Sequence, residues 1–562
     1  MKTGEVYQVE ADVAVIGGGT AGLNSAMAAA EKGLKVLVVD KAMIERSGAI
    51  AGGIDHFHVY LEEGEPWDTR ESWLNYVAKV SRGGTNLKVH EAVYCNERLA
   101  AIERIERIGI SMRDPRTGKF YRTQALGQPG PMAINFNGKR LKPAMAREVR
   151  RLGCQVLDRV QVTKLFLHDG EFAGFTGFNI RTGEFYQVRA KAAIISTGNT
   201  NRMFKAQTGN PFNIWYCPAA TGDLHRTAFD VGVELANMEY VRMTIVPKGF
   251  SAPGFNAFFG LGAYLVNSLG ERFAERYHPM GDRGPRSAII WGALQEVRAG
   301  RGPLYMDCRH LTRGDREHLF TTLGYDKDTL PDFLIKKGYN LEGTMIEMTV
   351  SEPMQARPSE QCGSGVKIDE TCASNVPGLF AAGDSSDQMG CLHLCVAGGY
   401  AAGKGAAVYA KKIKNLRPLN AKEAAAEKER VFKPLGKKGG LSSQEFENIV
   451  RIITTDHFGP IKTELSLKGA LEKLNRLDGA IGDLKADNLH ELMRVHEAVN
   501  IQQVAKITAT AALARKETRF PPYHYRTDYP ETDDKNFCGL IVIKKNADGN
   551  MTTRFEPLTY DI

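Results

Sequence analysis

Residues 11–40 read ADVAVIGGGTAGLNSAMAAAEKGLKVLVVD, and this stretch decides the fold. Residues 11–16 form a short apolar run of strand type that stops at a glycine cluster. Gly17, Gly19 and Gly22 fit G-x-G-x-x-G, residues 21–32 read as a helix of small side chains, and residues 34–39 as a second apolar strand ending in Asp40. That is a strand–turn–helix–strand unit of about 30 residues with an acid about 20 positions past the glycines. Gly17 permits the tight turn, Gly19 lets backbone approach a pyrophosphate, and Gly22 lets helix and strand pack closely. The helix start at Thr20 and Ala21 offers unpaired N–H groups and a positive dipole end to phosphates. Asp40 can accept hydrogen bonds from both ribose hydroxyls. The unit predicts a Rossmann-like dinucleotide-binding domain.

Outward from this unit, a chain of 562 residues predicts two to four domains. Its apolar runs fall short of the ~20 residues a membrane span needs. Residues 1–13 lack the apolar core of a signal peptide, and a cytoplasmic protein is expected. The nine cysteines form no disulfide framework and no C-x-x-C pair. Cys391 and Cys395 read as small residues near a packed helix start, so no iron–sulfur cluster or other metal site is expected in this chain. The net charge of +8 suits an anionic substrate or an acidic partner. No basic stripe interleaves with aromatics, so nucleic acid is not an expected partner.

The loop after Asp40, KAMIERSGAIAGGIDHFHVY, is well placed to run along the rest of a dinucleotide through Lys41, Ser47, Gly48, Gly52 and Gly53. His56 and His58 alternate with apolar neighbours and share a face if extended. Residues 67–110 are helical in pattern. Residues 155–166 and 171–180 read as a strand pair continued by 186–190. Residues 192–198, AAIISTG, form a further buried strand ending in Thr197 and Gly198, which suits the adenosine side of a dinucleotide. Asp223 opens the next helix as a capping acid. Residues 378–384, GLFAAGD, are a third nucleotide signature ending in Gly383 and Asp384, followed by a small-residue helix from Val396 to about position 410. From 417 onward the chain is charged and helical, and it closes with an aromatic tail and a strand pair.

Three signatures in this order resemble the flavoprotein subunits of the succinate dehydrogenase/fumarate reductase superfamily, as do GGGTAGL, TGDLHRTAFDVGVELANME, YLVNSLGERFAER and VPGLFAAGD. SGAIAGGI, RAGRGPLYMD, HLCVAGGYAAG and the tail RKETRFPPYHYRTDYPETDD look most like the alpha subunit of adenylylsulfate reductase. The resemblance implies an α/β fold: a Rossmann-like FAD-binding domain (1–246 and 355–416), an inserted α+β capping domain (247–354) and a C-terminal helical domain with an aromatic tail (417–562). It implies FAD, with Asp384 on ribityl or phosphate oxygens and a helix N-terminus at Val396 and Ala397 aimed at the flavin. Members with covalent FAD carry a histidine after the loop serine. Here Gly48 follows Ser47, so non-covalent FAD is expected. The family also implies a ferredoxin-like iron–sulfur beta subunit, expected to dock on the C-terminal part with residues 520–529 contributing.

The substrate side departs from the pattern. His58 stands where adenylylsulfate reductases have asparagine, and Gly249 where they have arginine, with Lys248 and Arg242 the nearest bases. His393 matches the family's histidine close to the flavin. Glu360 corresponds to a fumarate reductase histidine, and their proton-donating arginine to Arg283 or Arg286. The candidates at the boundary of the two domains are therefore His58, Arg242, Lys248, Arg283, Arg286, Glu360 and His393. Arginine suits clamping of a carboxylate, sulfate or phosphate; histidine and glutamate suit proton transfer. The expected function is an FAD-dependent oxidoreductase subunit exchanging electrons between an anionic substrate and an iron–sulfur partner. The alternative is a fumarate-reductase-like enzyme acting on a C=C or C–C bond of a small organic acid. The changes at 58 and 249 predict weak or absent sulfite-plus-AMP oxidation.

Overall fold

In the computed structural model, which describes residues 3–205, 214–252 and 254–560, the glycine-rich unit forms β1 (Val6–Ile16), α1 (Thr20–Ala30) and β2 (Val36–Asp40). β1 and β2 are parallel, with Val13 opposite Val36 and Ile16 opposite Val39. The free edge of β2 takes β3 (Gln155–Asp158), also parallel. The sequence pattern runs β3 on into the hairpin, but Arg159 adopts φ 63°. That left-handed residue turns the chain, so β4 (Val160–His168) pairs instead with β5 (Glu171–Asn179).

The strands expected at 186–190 and 192–198 are one strand, β6 (Phe185–Ile195). Lys191 interrupts the apolar pattern, but its Nζ turns outward to Asp12 at 2.8 Å and the strand continues. β6 runs parallel to β1 along its length. Its other edge is shared, antiparallel β5 covering the first half and β7 (Leu379–Ala381) pairing in parallel with Ala193–Ile195. The sheet order is β3-β2-β1-β6-β5-β4, with β7 also on β6. α2 (Cys391–Lys412) packs on α1, where Ser25 Oγ donates to Gly399 O at 2.7 Å. α2 begins at Cys391 rather than at 396, because Gly390 holds the extended N-cap conformation.

The capping region carries an antiparallel sheet in the order Ile245–Pro247, Ile346–Val350, Leu304–Asp307, Tyr264–Val266. The helices Arg286–Arg298 and Arg313–Asp326 cover it, and it has its own core around Phe258, Leu265, Phe273, Met306 and Leu323. Four helices of three or more turns follow in the C-terminal part, the longest, Leu489–Ala514, buried along most of its length.

Much of the aromatic tail is interior, with Phe520, Tyr525 and Tyr529 only half-buried. Arg515, Tyr523, His524 and Arg526 are all buried, Tyr523 belongs to the capping core, and Tyr525–Arg526 pairs with Ile461–Lys462. Its charges are interior because each is paired: Arg515 with Glu239 (2.7 Å) and Glu517 (2.8 Å), Arg526 with Asp528 (2.7 Å). Among the described residues no helix is long and apolar enough to cross a membrane.

Candidate active site

A cavity of about 1680 Å³, its solvent-open part included, lies between the Rossmann unit and the capping region. On the nucleotide side its lining includes Gly17, Gly19, Thr20, Ala21 and Asp40, then Ser47, Gly48 and Gly53 of the following loop. Thr197, Gly198, Asp223, Gly383 and Asp384 complete that wall.

The residues here fit a dinucleotide. The N-cap of α1, Gly19, is extended and no side chain caps the helix, so the first-turn N–H groups are left for phosphates. A Cβ at Gly22 would lie 1.9 Å from Gly17 O, which is why this glycine serves helix packing and does not line the cavity. Asp40 accepts Gly18 N–H on Oδ2 and Ala42 N–H on Oδ1, both at 2.6 Å, and each oxygen keeps capacity for a ribose hydroxyl. Thr197 Oγ1 is buried with no partner among the described residues. At Gly53 a Cβ would meet Tyr325 O at 2.3 Å, so the loop passes directly beneath the cap, with Gly52 against Lys327 and outside the lining.

Three cofactor expectations shift. Lys41 lines the cavity, but its Nζ is held by Asp223 (2.8 Å) and Glu497 (2.7 Å). Burial works against its charge, yet these carboxylates outweigh it and raise its pKa. Asp223 does not cap its helix; it accepts from Lys41, Thr221 and Asn500. Val396 and Ala397 are fully buried inside α2, and the free N–H groups of its first turn belong to residues 391–394.

On the capping side, Glu360 gathers the charge. Its Oε1 accepts from Arg242 and from Arg286 Nε (2.7 Å), and its Oε2 from the Cys391 thiol (2.7 Å) and Arg357 Nη2 (3.4 Å). Burial raises the Glu360 carboxyl, but the three guanidiniums hold it well below the usual carboxylate range. Arg357 also donates to Asp384 and to the Tyr216 hydroxyl. Burial, with the Glu360 carboxylate beside it, pushes the Cys391 thiol up to about 12.

A chain of polar contacts backs Arg286: its Nη2 donates to Asn256 Oδ1 (2.9 Å), Asn256 Nδ2 lies 2.7 Å from His56 Nε2, and His56 Nδ1 meets Asp55. Burial opposes the His56 charge, but Asp55 outweighs it and its pKa is raised.

Arg286, Arg357, Glu360, Cys391 and His56 line the cavity. Arg242 is fully buried behind them. His58 and His393 are buried and outside the lining, their rings stacked at 5.0 Å. Burial, then the neighbouring His56, lowers His58 to about 3. Burial also puts His393 well below its ordinary value, and its Nε2 bonds Gln361 Oε1 at 3.0 Å.

Arg283 and Lys248 are not brought to the cavity: Arg283 donates to Gln124 (2.6 Å) and Lys248 to Glu347 (2.6 Å). Gly249 sits beside Phe333, also outside the lining. The differences at 58 and 249 therefore do not touch the cavity wall. Arg357 and Cys391 join the site although neither carries a local signal in the sequence. Alternation showed that His56 and His58 share a face but not which of them the cavity reaches. Among the described residues no group of histidines, cysteines and acids is placed to hold a metal ion.

A family model described as FAD binding domain matches residues 12–395, and one described as fumarate reductase flavoprotein C-term matches residues 448–562. An uncharacterized FAD-dependent oxidoreductase of Methanocaldococcus jannaschii is 26% identical, the match covering 99% of each chain. The flavoprotein subunit of the 8-methylmenaquinol:fumarate reductase of Wolinella succinogenes is 27% identical over 96% of this chain and 89% of its own. The adenylylsulfate reductase structure from Archaeoglobus fulgidus shares the fold with TM-score 0.88 at 23% identity, covering 99% of this chain and 97% of that one. With both family domains matched in their expected order, the chain belongs to the succinate dehydrogenase/fumarate reductase flavoprotein superfamily and is an FAD-dependent oxidoreductase.

Proposed function

We propose that the protein exchanges electrons between a small anionic substrate, seated at the Arg286–Arg357 wall of the cavity, and an iron–sulfur partner subunit. The observation that supports this most is the convergence of Arg242, Arg286 and Arg357 on one carboxylate where the two domains meet. FAD, when bound, supplies hydride exchange with a substrate and single-electron exchange with a metal partner. The start of α1 would hold its pyrophosphate and Asp40 its ribose, and with Gly48 after Ser47 the link would be non-covalent. Arg286 clamps the substrate anion, and Asn256 and His56 keep that guanidinium aimed. The capping helix Arg286–Arg298 carries Arg286 while Arg357 and Glu360 belong to the returning segment, so the anion site is complete only when both close on the cavity.

A reoxidation screen of the reduced protein against adenylylsulfate, fumarate, enoates and sulfonates tests the reading. Turnover is expected with a small anion, and Arg286→Gln is expected to weaken it by about 1.5–3 kcal/mol, the worth of a charge-assisted hydrogen bond. Turnover with neutral compounds alone would overturn it, and rapid turnover with adenylylsulfate would overturn only the expectation of weak sulfite-plus-AMP oxidation drawn from positions 58 and 249. A fumarate-reductase-like reaction on a small organic acid is the second reading, favoured by the fact that the group these arginines already hold is a carboxylate; the enoate arm separates the two. For the partner, a co-purifying subunit with broad visible absorbance is expected. Full activity of the chain alone with natural reductants would remove that part of the proposal.

A further inference from the structure

The arginine cluster contains a carboxylate of its own, and the donors it leaves free can be counted. A guanidinium has five N–H groups. Arg286 donates Nε–H to Glu360, one Nη1–H to Thr244 Oγ1 (3.2 Å) and one Nη2–H to Asn256 Oδ1 (2.9 Å). Two remain, enough for one carboxylate held by a two-point fork. Arg357 gives one Nη1–H to Asp384 and shares its Nη2 among Tyr216, Glu360 and the Cys391 sulfur, its Nε is buried without a partner, and one Nη1–H stays unassigned. Arg242 is fully buried, its Nη1 on Arg357 O (3.1 Å) and its Nη2 on Glu360. Three guanidiniums facing Glu360 and Asp384 leave a single net positive charge at this wall. A second substrate carboxylate would meet the Glu360 charge in place of a free arginine.

We infer that Glu360 is a resident carboxylate filling one anion subsite, so that the substrate carries a single anionic group and dicarboxylates are excluded. The inference rests on the anionic-substrate reading and names its class: a monocarboxylate or equivalent monoanion. Glu360 is then the residue that sets specificity. Its removal leaves three guanidiniums without their carboxylate and opens room for an added one.

The test uses the FAD-loaded wild type, Glu360→Ala and Glu360→Gln at constant ionic strength. Each is titrated with crotonate and butyrate as monocarboxylates and with fumarate and malonate as dicarboxylates, following flavin absorbance and melting temperature. The wild type is expected to bind monocarboxylates at least ten-fold tighter than dicarboxylates. Glu360→Ala is expected to gain at least ten-fold for dicarboxylates, and to recover its lowered melting temperature on addition of acetate but not chloride. Glu360→Gln keeps the shape without the charge; it is expected to gain in the same direction, and it carries the test if the alanine variant does not fold. Dicarboxylate binding by the wild type as tight as monocarboxylate binding would overturn the inference while sparing the anionic-substrate reading. So would the absence of any gain in variants with full FAD content. If no anion perturbs the wild-type flavin yet acetate restores Glu360→Ala, the subsite stands and the anionic-substrate reading fails.

Discussion

In the proposed function, single residues at the cavity wall do two separable things, hold the nucleotide and set the field for the substrate. Asp40 belongs to the first group, since its oxygens already order Gly18 and Ala42 and keep capacity for ribose. Asp40→Ala is expected to weaken FAD by about 1.5–3 kcal/mol for each charge-assisted bond lost, read by titrating apoprotein with FAD and following flavin fluorescence. His56 sets a pH dependence. Its folded pKa is raised above 6.5 by Asp55, so its contribution to stability is fully present below pH 6.5 and is lost as pH rises through the folded value. The same deprotonation removes a positive charge near Arg286, so anion affinity should fall as pH climbs through the raised folded value. Dissociation constants measured from acid to alkaline pH check this, and the slope should flatten in His56→Gln.

Among the elements, the tail and α2 show how a segment's place changes its role. Residues 515–529 look like a surface appendage in sequence, aromatic and charged, yet they thread between the capping core and the C-terminal helices with their ions paired. Truncation after Arg515 removes Glu517, Tyr523 and Arg526 from the interior. Leaving Arg515 without Glu517 and the capping core without Tyr523 should cost several kcal/mol, since breaking one buried ion pair by removing a partner costs about 3–5 kcal/mol. The expected outcome is loss of soluble, FAD-retaining protein; a truncated chain that keeps its FAD and its melting temperature would contradict the burial. α2 shows the reverse case. Its small-residue composition made the helix visible, but its start lies earlier because Gly390, not a side-chain cap, ends the extended segment.

Across the whole molecule, a buried ion network ties the Rossmann unit to the C-terminal helices. Glu497 meets Lys41 at 2.7 Å and Arg202 at 2.9 Å, and Arg202 also meets Glu447 at 2.8 Å. Removing one member strands the others away from water, so Glu497→Gln should lower stability by about 3–5 kcal/mol, measured by urea unfolding of the FAD-loaded protein.

The nucleotide half was legible in the chain alone: the period of the apolar runs, the glycine spacing and Asp40 lie within one local unit, and local sterics and helix dipoles act over such distances. The chain alone also led to the expectation of a cap before the third signature, and Arg286 and Glu360 were among its candidates; both line the cavity. Folding in three dimensions settled that Arg357 and His56 join them, that Arg283, Lys248 and Gly249 do not, and that His58 turns into the core. These outcomes depend on residues far apart in the chain meeting across two domains. Coulombic attraction among buried side chains acts through space, and no spacing along the chain encodes which guanidinium will reach a carboxylate.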